Sequence, residues 1–308
     1  MSETPIRVEI VAPVHNRREI TLQCLKSLSG IETTGLDVHI VIVDDGSTDG
    51  TSDAIRNEYS EVEIVSGDGN LWFTEGTNAG IRAALKHDPK YILAINDDGI
   101  FDSGFLRYLV ETADKHPRSV IGPLLLLWDM PHKIFQTAPV WETWSGGWRH
   151  WYGQTVWTIP NRPWKVSVIV GNCVLIPSEA IREAGLMDST RFPNFGDAEY
   201  TPRLKKMGWK LLIDPRARVF CQPNNVPTKL LKLSARQKLQ ALFFDAGHPH
   251  NLLRRFRGMW DTAPTKIDAL IAFGVFFVRI ALRKNVESEW GMRQKEKPLS
   301  ETFKNEVV

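Results

Sequence analysis

Three cysteines in 308 residues, Cys24, Cys173 and Cys221, are too few and too scattered to staple a disulfide scaffold. Their scarcity agrees with a reducing compartment, so a cytoplasmic location is expected. The first residues, Met1 to Pro5, have no basic stretch leading into an apolar core, so no signal peptide is expected. Long apolar runs are also missing. The longest near the C-terminus, Ala269 to Val278, continues past Arg279 as Ile280 to Leu282 and still falls short of the roughly 20 residues that a bilayer span needs. Excess charge is absent too: the net value is only +2, which excludes a general polyanion binder, and no nucleic-acid partner is expected. No internal repeat or low-complexity stretch is evident. What remains is an ordinary globular composition, 43% hydrophobic and 24% charged, in a chain long enough for one large domain with an appendage.

Two greasy segments stop abruptly in carboxylates. One is Val41-Ile42-Val43 followed by Asp44-Asp45-Gly46-Ser47-Thr48-Asp49. The other is Tyr91 to Ile95 followed by Asn96-Asp97-Asp98. A continuous apolar run fits a strand buried on both faces, as in a parallel sheet covered by helices. Ligands of open α/β sheets bind beyond the carboxyl ends of the strands. Two acidic ends there point to a metal and a polar, phosphate-bearing ligand. Taken alone, Asp44 and Asp45 also suit a plain turn.

The first half alternates between the two periodicities. Strands are expected at Val8–Val14, Val38–Val43, Val62–Val65 and Tyr91–Ile95. Helices are expected at Arg17–Leu28, Thr51–Glu58, Gly76–Lys86 and Ser103–Lys115. Such alternation implies right-handed crossovers and a mostly parallel sheet flanked by helices. From Val120 the rhythm breaks. The segment Trp128 to Trp164 holds seven of the eleven tryptophans and reads as loops and short strands. Val166–Ile176 reads as a strand, Ser178–Ala184 and Asp197–Met207 as helices, and Trp209–Ile213 as a closing strand. After Pro227 the pattern is helical and basic. The expected division is residues 1–118 as a nucleotide-binding half, 119–227 as a second half of the same domain, and 228–308 as a helical appendage.

Five separated motifs follow a fixed order: Ala12-Pro13-Val14-His15-Asn16-Arg17; Val43-Asp44-Asp45-Gly46-Ser47; Gly69-Asn70 with Gly76-Thr77-Asn78-Ala79-Gly80; Asn96-Asp97-Asp98; and Gly185-Leu186-Met187-Asp188 with Phe195-Gly196-Asp197-Ala198-Glu199. Between Val8 and Pro223 this order resembles the inverting family 2 glycosyltransferases of GT-A fold, and their rhamnosyltransferase-like branch in particular. The resemblance implies a Rossmann-like α/β fold, a divalent metal (Mg²⁺ or Mn²⁺), and a UDP- or dTDP-sugar donor. It also implies a glycan or lipid-linked glycan acceptor. The donor set it implies is Pro13, Val14, His15, Asn16, Asp44, Asp45, Asn70, Asn78, Asn96 and Asp97, with Asp44 reading the base. Asp98, with Asp97, is implied as the metal-holding pair. Asp197 is implied as the catalytic base and Glu199 as the second candidate. Gly171 and Asn172 fall on the acceptor side.

The chemistry suits these residue types. Hard ions take oxygen ligands, commonly one or two carboxylates plus substrate phosphate. An acceptor hydroxyl needs a base as it attacks. The sequence departs from the family pattern at His15, Trp72, Gly196 and Cys221. A thiol at the last position is poorly suited to Mg²⁺. Asp197 and Glu199 also suit a helix N-terminus through its dipole alone. A non-catalytic glycan-binding protein on the same scaffold therefore stays open. A sugar-nucleotide pyrophosphorylase would want a glycine-rich loop after strand one, and Pro13 to Arg18 contains no glycine.

Aromatic faces pack against the C–H faces of sugars. An acceptor groove is therefore expected along Trp141 to Trp157, with Trp144 and Trp148 as its contacts, although tryptophans also fill cores. Between Lys229 and Arg257 there are seven Lys or Arg residues and one acid, Asp245, and the apolar Ala269–Val278 follows. That pattern fits peripheral contact with an anionic membrane, or a cap that packs on the domain or forms a homodimer.

Overall fold

The computed structural model describes residues 4–135, 137–149, 154–222, 233–245, 248 and 251–281. One nine-stranded sheet organises them. Its first half is built by β1 (Ile6–Val14), β2 (Leu36–Asp44), β3 (Glu63–Ser66) and β4 (Tyr91–Ile95), in the order β3-β2-β1-β4 and parallel throughout. Helices α1 (Arg18–Leu28), α2 (Thr51–Glu58) and α3 (Trp72–Ala84) make the crossovers. The sheet is covered on both sides. Val8, Ile10 and Ala12 of β1 join α1 and α4 (Phe105–Lys115) in one core, whereas Val11 joins Ile81 and Ala84 of α3 in the other. Two-sided burial is why these strands read as unbroken apolar runs.

The second half is mixed. β5 (Gly99–Phe101), β6 (Ser119–Leu127), β9 (Trp164–Lys165), β10 (Cys173–Pro177) and β11 (Lys210–Cys221) extend the sheet, with β10 antiparallel between β4 and β6. A separate hairpin pairs β7 (Val140–Glu142) with β8 (Gly147–Arg149). Helices α5 (Ser178–Ala184) and α6 (Gly196–Lys206) lie on the α3 side.

Three expectations shift here. The rhythm continues through a wholly buried β6 and breaks only after Leu127. β11 runs eight residues past Ile213, across a register shift between Asp214 and Arg218. The strand expected over Val166–Ile176 meets the sheet at its two ends, where the Val166 N–H donates to the Leu211 carbonyl of β11 at 2.9 Å and where Cys173–Pro177 forms β10. The stretch between is tied instead to α6, where Thr201 Oγ1 donates to the Ile169 carbonyl and accepts from the Ile169 N–H, at 3.0 and 3.1 Å. An apolar sequence therefore becomes a pinned loop.

The appendage begins with α7 (Ala235–Leu239), capped by the Ser234/Gln237 box and continued by a wider turn to Phe244. Then come α8 (Leu252–Thr262) and α9 (Lys266–Ala281). They close over the hairpin. Trp141 packs with Met259, Ala263, Ala272 and Phe276, and its ring meets that of Trp148 edge-on at 5.4 Å. Trp148 Nε1 donates to Thr262 Oγ1 at 2.8 Å. Trp151, residues 223–232 and residues 282–308 lie outside the described residues. No described helix is long and apolar enough to cross a membrane.

α3 lies unusually close to β1. A methyl group at Gly76 would meet the Pro13 ring at 2.8 Å, and one at Gly80 would overlap Val11 Cγ1. Helix propensity alone favours alanine at an internal glycine by about 1 kcal/mol. Overpacking a core costs about 1–3 kcal/mol, and Val11 is wholly buried. Gly80→Ala is therefore expected to reverse the propensity gain and destabilise the domain by about 1 kcal/mol or more, measured by urea unfolding.

Candidate active site

The ends of β1 and β2 and the loop after β3 meet at one edge. Val14 pairs with Asp44 across the two strands, and its carbonyl accepts the Asp45 N–H at 2.9 Å. Pro13 precedes it under α3. The two aspartates that follow differ in task. Asp44 is oriented by local donors, accepting from the Ser47 N–H at 2.9 Å and from the Ser52 hydroxyl. Asp45 turns its carboxylate to the next loop and accepts from the backbone N–H groups of Gly69, Leu71 and Trp72 at 2.8, 3.0 and 3.2 Å. A carboxylate with three such donors is a clamp. It fixes Asn70 and Trp72 over the edge, with Trp72 57% exposed and held at a φ of +57°.

His15 and Asn16 tie the first loop to the second. His15 Nδ1 lies 2.5 Å from the Asp45 carbonyl, so Nδ1 carries the proton and Nε2 accepts from Asn16 Nδ2 at 3.0 Å. Asn16 Oδ1 accepts the Thr48 N–H at 2.7 Å. Asn78 stands apart from this edge. It is buried, and its amide brackets the Met187 backbone, accepting from N–H at 3.1 Å and donating to C=O at 2.9 Å.

At the end of β4 the two buried aspartates share one guanidinium. Arg17 donates to Asp97 Oδ1 at 2.8 Å and to Asp98 Oδ2 at 3.1 Å. Thr21 takes the other Asp97 oxygen at 3.1 Å. Burial pushes the Asp97 carboxyl up to about 6, against the pull of Arg17. Both Asp97 oxygens are thus engaged. At this strand end two other side-chain oxygens, Asn96 Oδ1 and Asp98 Oδ1, are buried without a hydrogen-bond partner. Asp98 borders a small cavity with Gln23, Trp128 and Gln222. Orphaned hard oxygens two residues apart fit a divalent ion of the Mg²⁺ or Mn²⁺ kind, which needs few protein ligands when phosphate supplies the rest. Among the described residues no group of three or more His, Cys, Asp or Glu side chains forms a closed metal cage. Burial pushes the thiols of Cys24, Cys173 and Cys221 well up, so Cys221 stays a neutral, apolar neighbour of Asp98.

Asp197 sits in the first turn of α6 and reaches across to Gly171, whose N–H donates to its Oδ2 at 2.8 Å. The approach requires glycine, because a methyl group at residue 171 would lie 2.5 Å from Asp197 Cβ. Burial raises the Asp197 carboxyl, and the N–H groups of Gly171 and of its own helical turn lower it. Gly171 leads through Asn172, whose carbonyl accepts the Asn96 N–H at 3.0 Å, directly to the acidic end of β4. Asp197 and the Asn96–Asp98 end are therefore neighbours through one peptide contact. Glu199 diverges from them. It pairs with Arg203 Nε at 2.9 Å on the side of the helix facing Arg191 and Asp261, and burial raises its carboxyl too.

Residues that the sequence reading passed over hold this geometry. Thr74 of α3 donates to the Phe192 carbonyl at 2.5 Å and accepts the Gly196 N–H at 3.0 Å. A side chain at residue 196 would overlap Thr74, so the glycine there follows from helix contact. Arg17 closes the first motif beside Arg18, and nothing local says which acids it meets. Of the tryptophans, Trp148 is engaged by α8, whereas Trp144 is 79% exposed.

Comparison with known proteins agrees with this geometry. The profile of "Glycosyl transferase family 2" matches residues 9–184. The N-acetylglucosaminyl-diphospho-decaprenol L-rhamnosyltransferase of Mycobacterium tuberculosis is 25% identical over 206 residues, 59% of this chain and 66% of that protein, so the chain spans just under two thirds of its length. The dTDP-rhamnosyl transferase RfbF of Shigella flexneri is 23% identical over 193 residues, 62% of each chain. Among solved structures, GalNAc-T7 with UDP, GalNAc and Mn²⁺ superposes with a TM-score of 0.61 at 15% identity, over 91% of this chain and 57% of that one. The mannosyltransferase PcManGT of Pyrobaculum calidifontis, with GDP-Man and Mn²⁺, gives 0.54 at 13%, over 99% and 81%. These likenesses establish the GT-A fold. A sheet of this topology, an acidic strand end beside a helix-borne aspartate and a profile match over more than half the chain lead to one conclusion: the chain belongs to glycosyl transferase family 2.

Proposed function

We propose that the protein is an inverting glycosyltransferase that moves a sugar from a UDP- or dTDP-activated donor to a hydroxyl of a glycan or lipid-linked glycan. The observation that carries this is the placement of Asp197, half-buried and held by Gly171, one peptide contact from the acidic end of β4. Two relatives named as rhamnosyl transferases, one of them for dTDP, turn the choice toward a dTDP-deoxysugar.

In this reading Asp44 receives the N3–H of the base at the end of β2, and Asn70 and Trp72 border the sugar. Asp98, with the Asn96 amide oxygen, would hold a divalent metal; Asp97 orients Arg17 beside them. A divalent ion bound there would offset charge on the leaving diphosphate. Asp197 takes the proton of the acceptor hydroxyl. The hydroxyl oxygen forms its bond to the anomeric carbon as the bond to diphosphate breaks, and the nucleoside diphosphate leaves with that electron pair. One displacement from the face opposite the leaving group inverts the centre. Dehydration of Asp197 raises its basicity, which suits a group that must accept a proton near neutral pH.

The exposed apolar surface favours contact with a membrane. Eight of the fifteen large apolar side chains exposed among the described residues lie between Leu239 and Val278. α9 is apolar on two faces: Ala269, Ala272 and Phe276 pack inward, while Ile267, Leu270, Phe277 and Val278 face solvent. Lys266 and Arg279 stand near its ends. A helix apolar all round needs cover on both sides, and basic flanks suit anionic lipid.

Three measurements test the reading. Asp197→Asn is expected to lower turnover at least about 100-fold, while dTDP or UDP affinity by calorimetry stays within a factor of two; unchanged turnover would refute the assignment of the base. Asp98→Asn is expected to remove the Mn²⁺-dependent part of nucleotide affinity, whereas a variant that keeps that part intact would exclude Asp98 as the metal-holding residue. Sedimentation with vesicles containing anionic lipid is expected to carry the protein down, and Leu270→Glu with Phe277→Glu to release it. A stable dimer that the same pair of substitutions splits would instead assign the face to a second copy.

A further inference from the structure

The charge closest in influence to Asp197 comes from the C-terminal helices, outside the span matched by the family profile, residues 9–184. Arg254, in the first turn of α8, lays its guanidinium 3.8 Å from the centre of the Phe195 ring. Phe195 is the residue from which α6 starts, two positions before Asp197. A guanidinium stacked on an aromatic face keeps its charge while its position is fixed by the ring.

Arg254 is also fixed from behind. Its backbone N–H is capped by Asn251 Oδ1 at 2.9 Å, and Asn251 is buried, with its amide donating to the Asp245 carbonyl at 3.1 Å. Further along, Asp261 locks α8 to the α6 region. It pairs with Arg191 at 2.8 Å, and its carbonyl accepts from Lys206. The ties fall on either side of α6, at residues 191 and 206, so α8 has a defined seat against it. Burial and the neighbouring Arg255 lower the Arg254 guanidinium to about 10, while Asp197 and Asp245 act in the opposite sense. A dehydrated cation exerts a poorly screened field on a dehydrated carboxylate nearby.

We propose that Arg254 is a positioning residue for Asp197, supplying from α8 the counter-charge that keeps the carboxylate ionised and aimed, so that the C-terminal helices complete the catalytic site. The inference rests on the reading of Asp197 as the base. It gives the appendage a task inside the reaction as well as at a surface. It also gives one face of the Phe195 ring a task, as the seat of the guanidinium. The charged groups around the pair are Arg255 and Asp245 on the α8 side, and Glu199, which is paired with Arg203 and directed away.

The test is the titration of Asp197 in the full chain, followed by carbon NMR with aspartate labelled at Cγ and assigned through Asp197→Asn. It requires no substrate. In Arg254→Met the midpoint is expected to rise by about one pH unit or more, the effect of removing a nearby opposite charge. Arg254→Lys should return most of that shift, and Arg257→Met, an exposed cation on the same helix, should leave the midpoint in place. An unmoved midpoint in Arg254→Met overturns the proposal, as does an equal shift in Arg257→Met. If the methionine variant does not fold, Arg254→Gln carries the same expectation. Calorimetry with dTDP and Mn²⁺ adds a second arm. Affinity within a factor of two of the unaltered chain supports positioning, and a tenfold loss makes Arg254 a donor-phosphate contact instead. Failure here is distinct from failure of the base: an active Asp197→Asn removes that assignment, whereas an inactive Asp197→Asn with an unmoved titration removes only the role of Arg254.

Discussion

The site depends on one carboxylate that does no chemistry. Asp45 gathers the N–H groups of Gly69, Leu71 and Trp72 and so fixes where α3 begins. α3 lies flat on β1 because Gly76 and Gly80 leave no side chain between them. From its first turn, Thr74 reaches the Phe192 carbonyl and the Gly196 N–H, and one turn later Asn78 brackets Met187. The start of α6, which carries Asp197, is therefore positioned by the same helix that Asp45 positions. The loop after β3 and Asp197 are set by a single rigid element, so a displacement at Asp45 is passed to Asp197.

A buried carboxylate on three amide donors is a strong fixture, because charge-assisted hydrogen bonds in a low-dielectric setting exceed neutral ones. Removing it would leave three backbone donors at the mouth of the site without a partner. The adjacent Asp44 has only local donors, Ser47 and Ser52. Two identical residues in sequence thus divide by reach, Asp45 holding the next loop and Asp44 its own turn. The pair at the end of β4 divides differently. Asp97 is tied on both oxygens, whereas Asp98 keeps one oxygen unpartnered.

The parallel half of the sheet was legible in the sequence because its strands are buried on both faces and so read as apolar runs ending in acid. The placement of Asp197 was legible too, as an aspartate opening a helix after a distinctive motif. What local pattern does not carry is direction. Nothing in Asp44-Asp45 or Asp97-Asp98 says which carboxylate turns inward, since that depends on Gly69, Arg17 and Thr21 across the chain. The stretch Val168–Val170 has the composition of a strand, yet Thr201 takes up both backbone groups of Ile169 in place of a strand partner. Trp148 looked like a sugar platform and is a hydrogen-bonded part of the hairpin–α8 contact. In each case a long-range partner overrides a correct local propensity.

Three residues around Asp98 and Asp197 are uncharged for physical reasons of their own. Gly196 has no side chain because Thr74 occupies the space of any there. Cys221 lies in surroundings dry enough to keep its thiol protonated beside Asp98. Asn96 is neutral, and its side-chain oxygen is buried without a partner, as is one oxygen of Asp98. With few charges close by, Asp98 and Asp197 are sensitive to those present, Arg17 on one side and Arg254 on the other. An arginine holds its charge across the whole range in which a carboxylate titrates, so both influences are constant in that range.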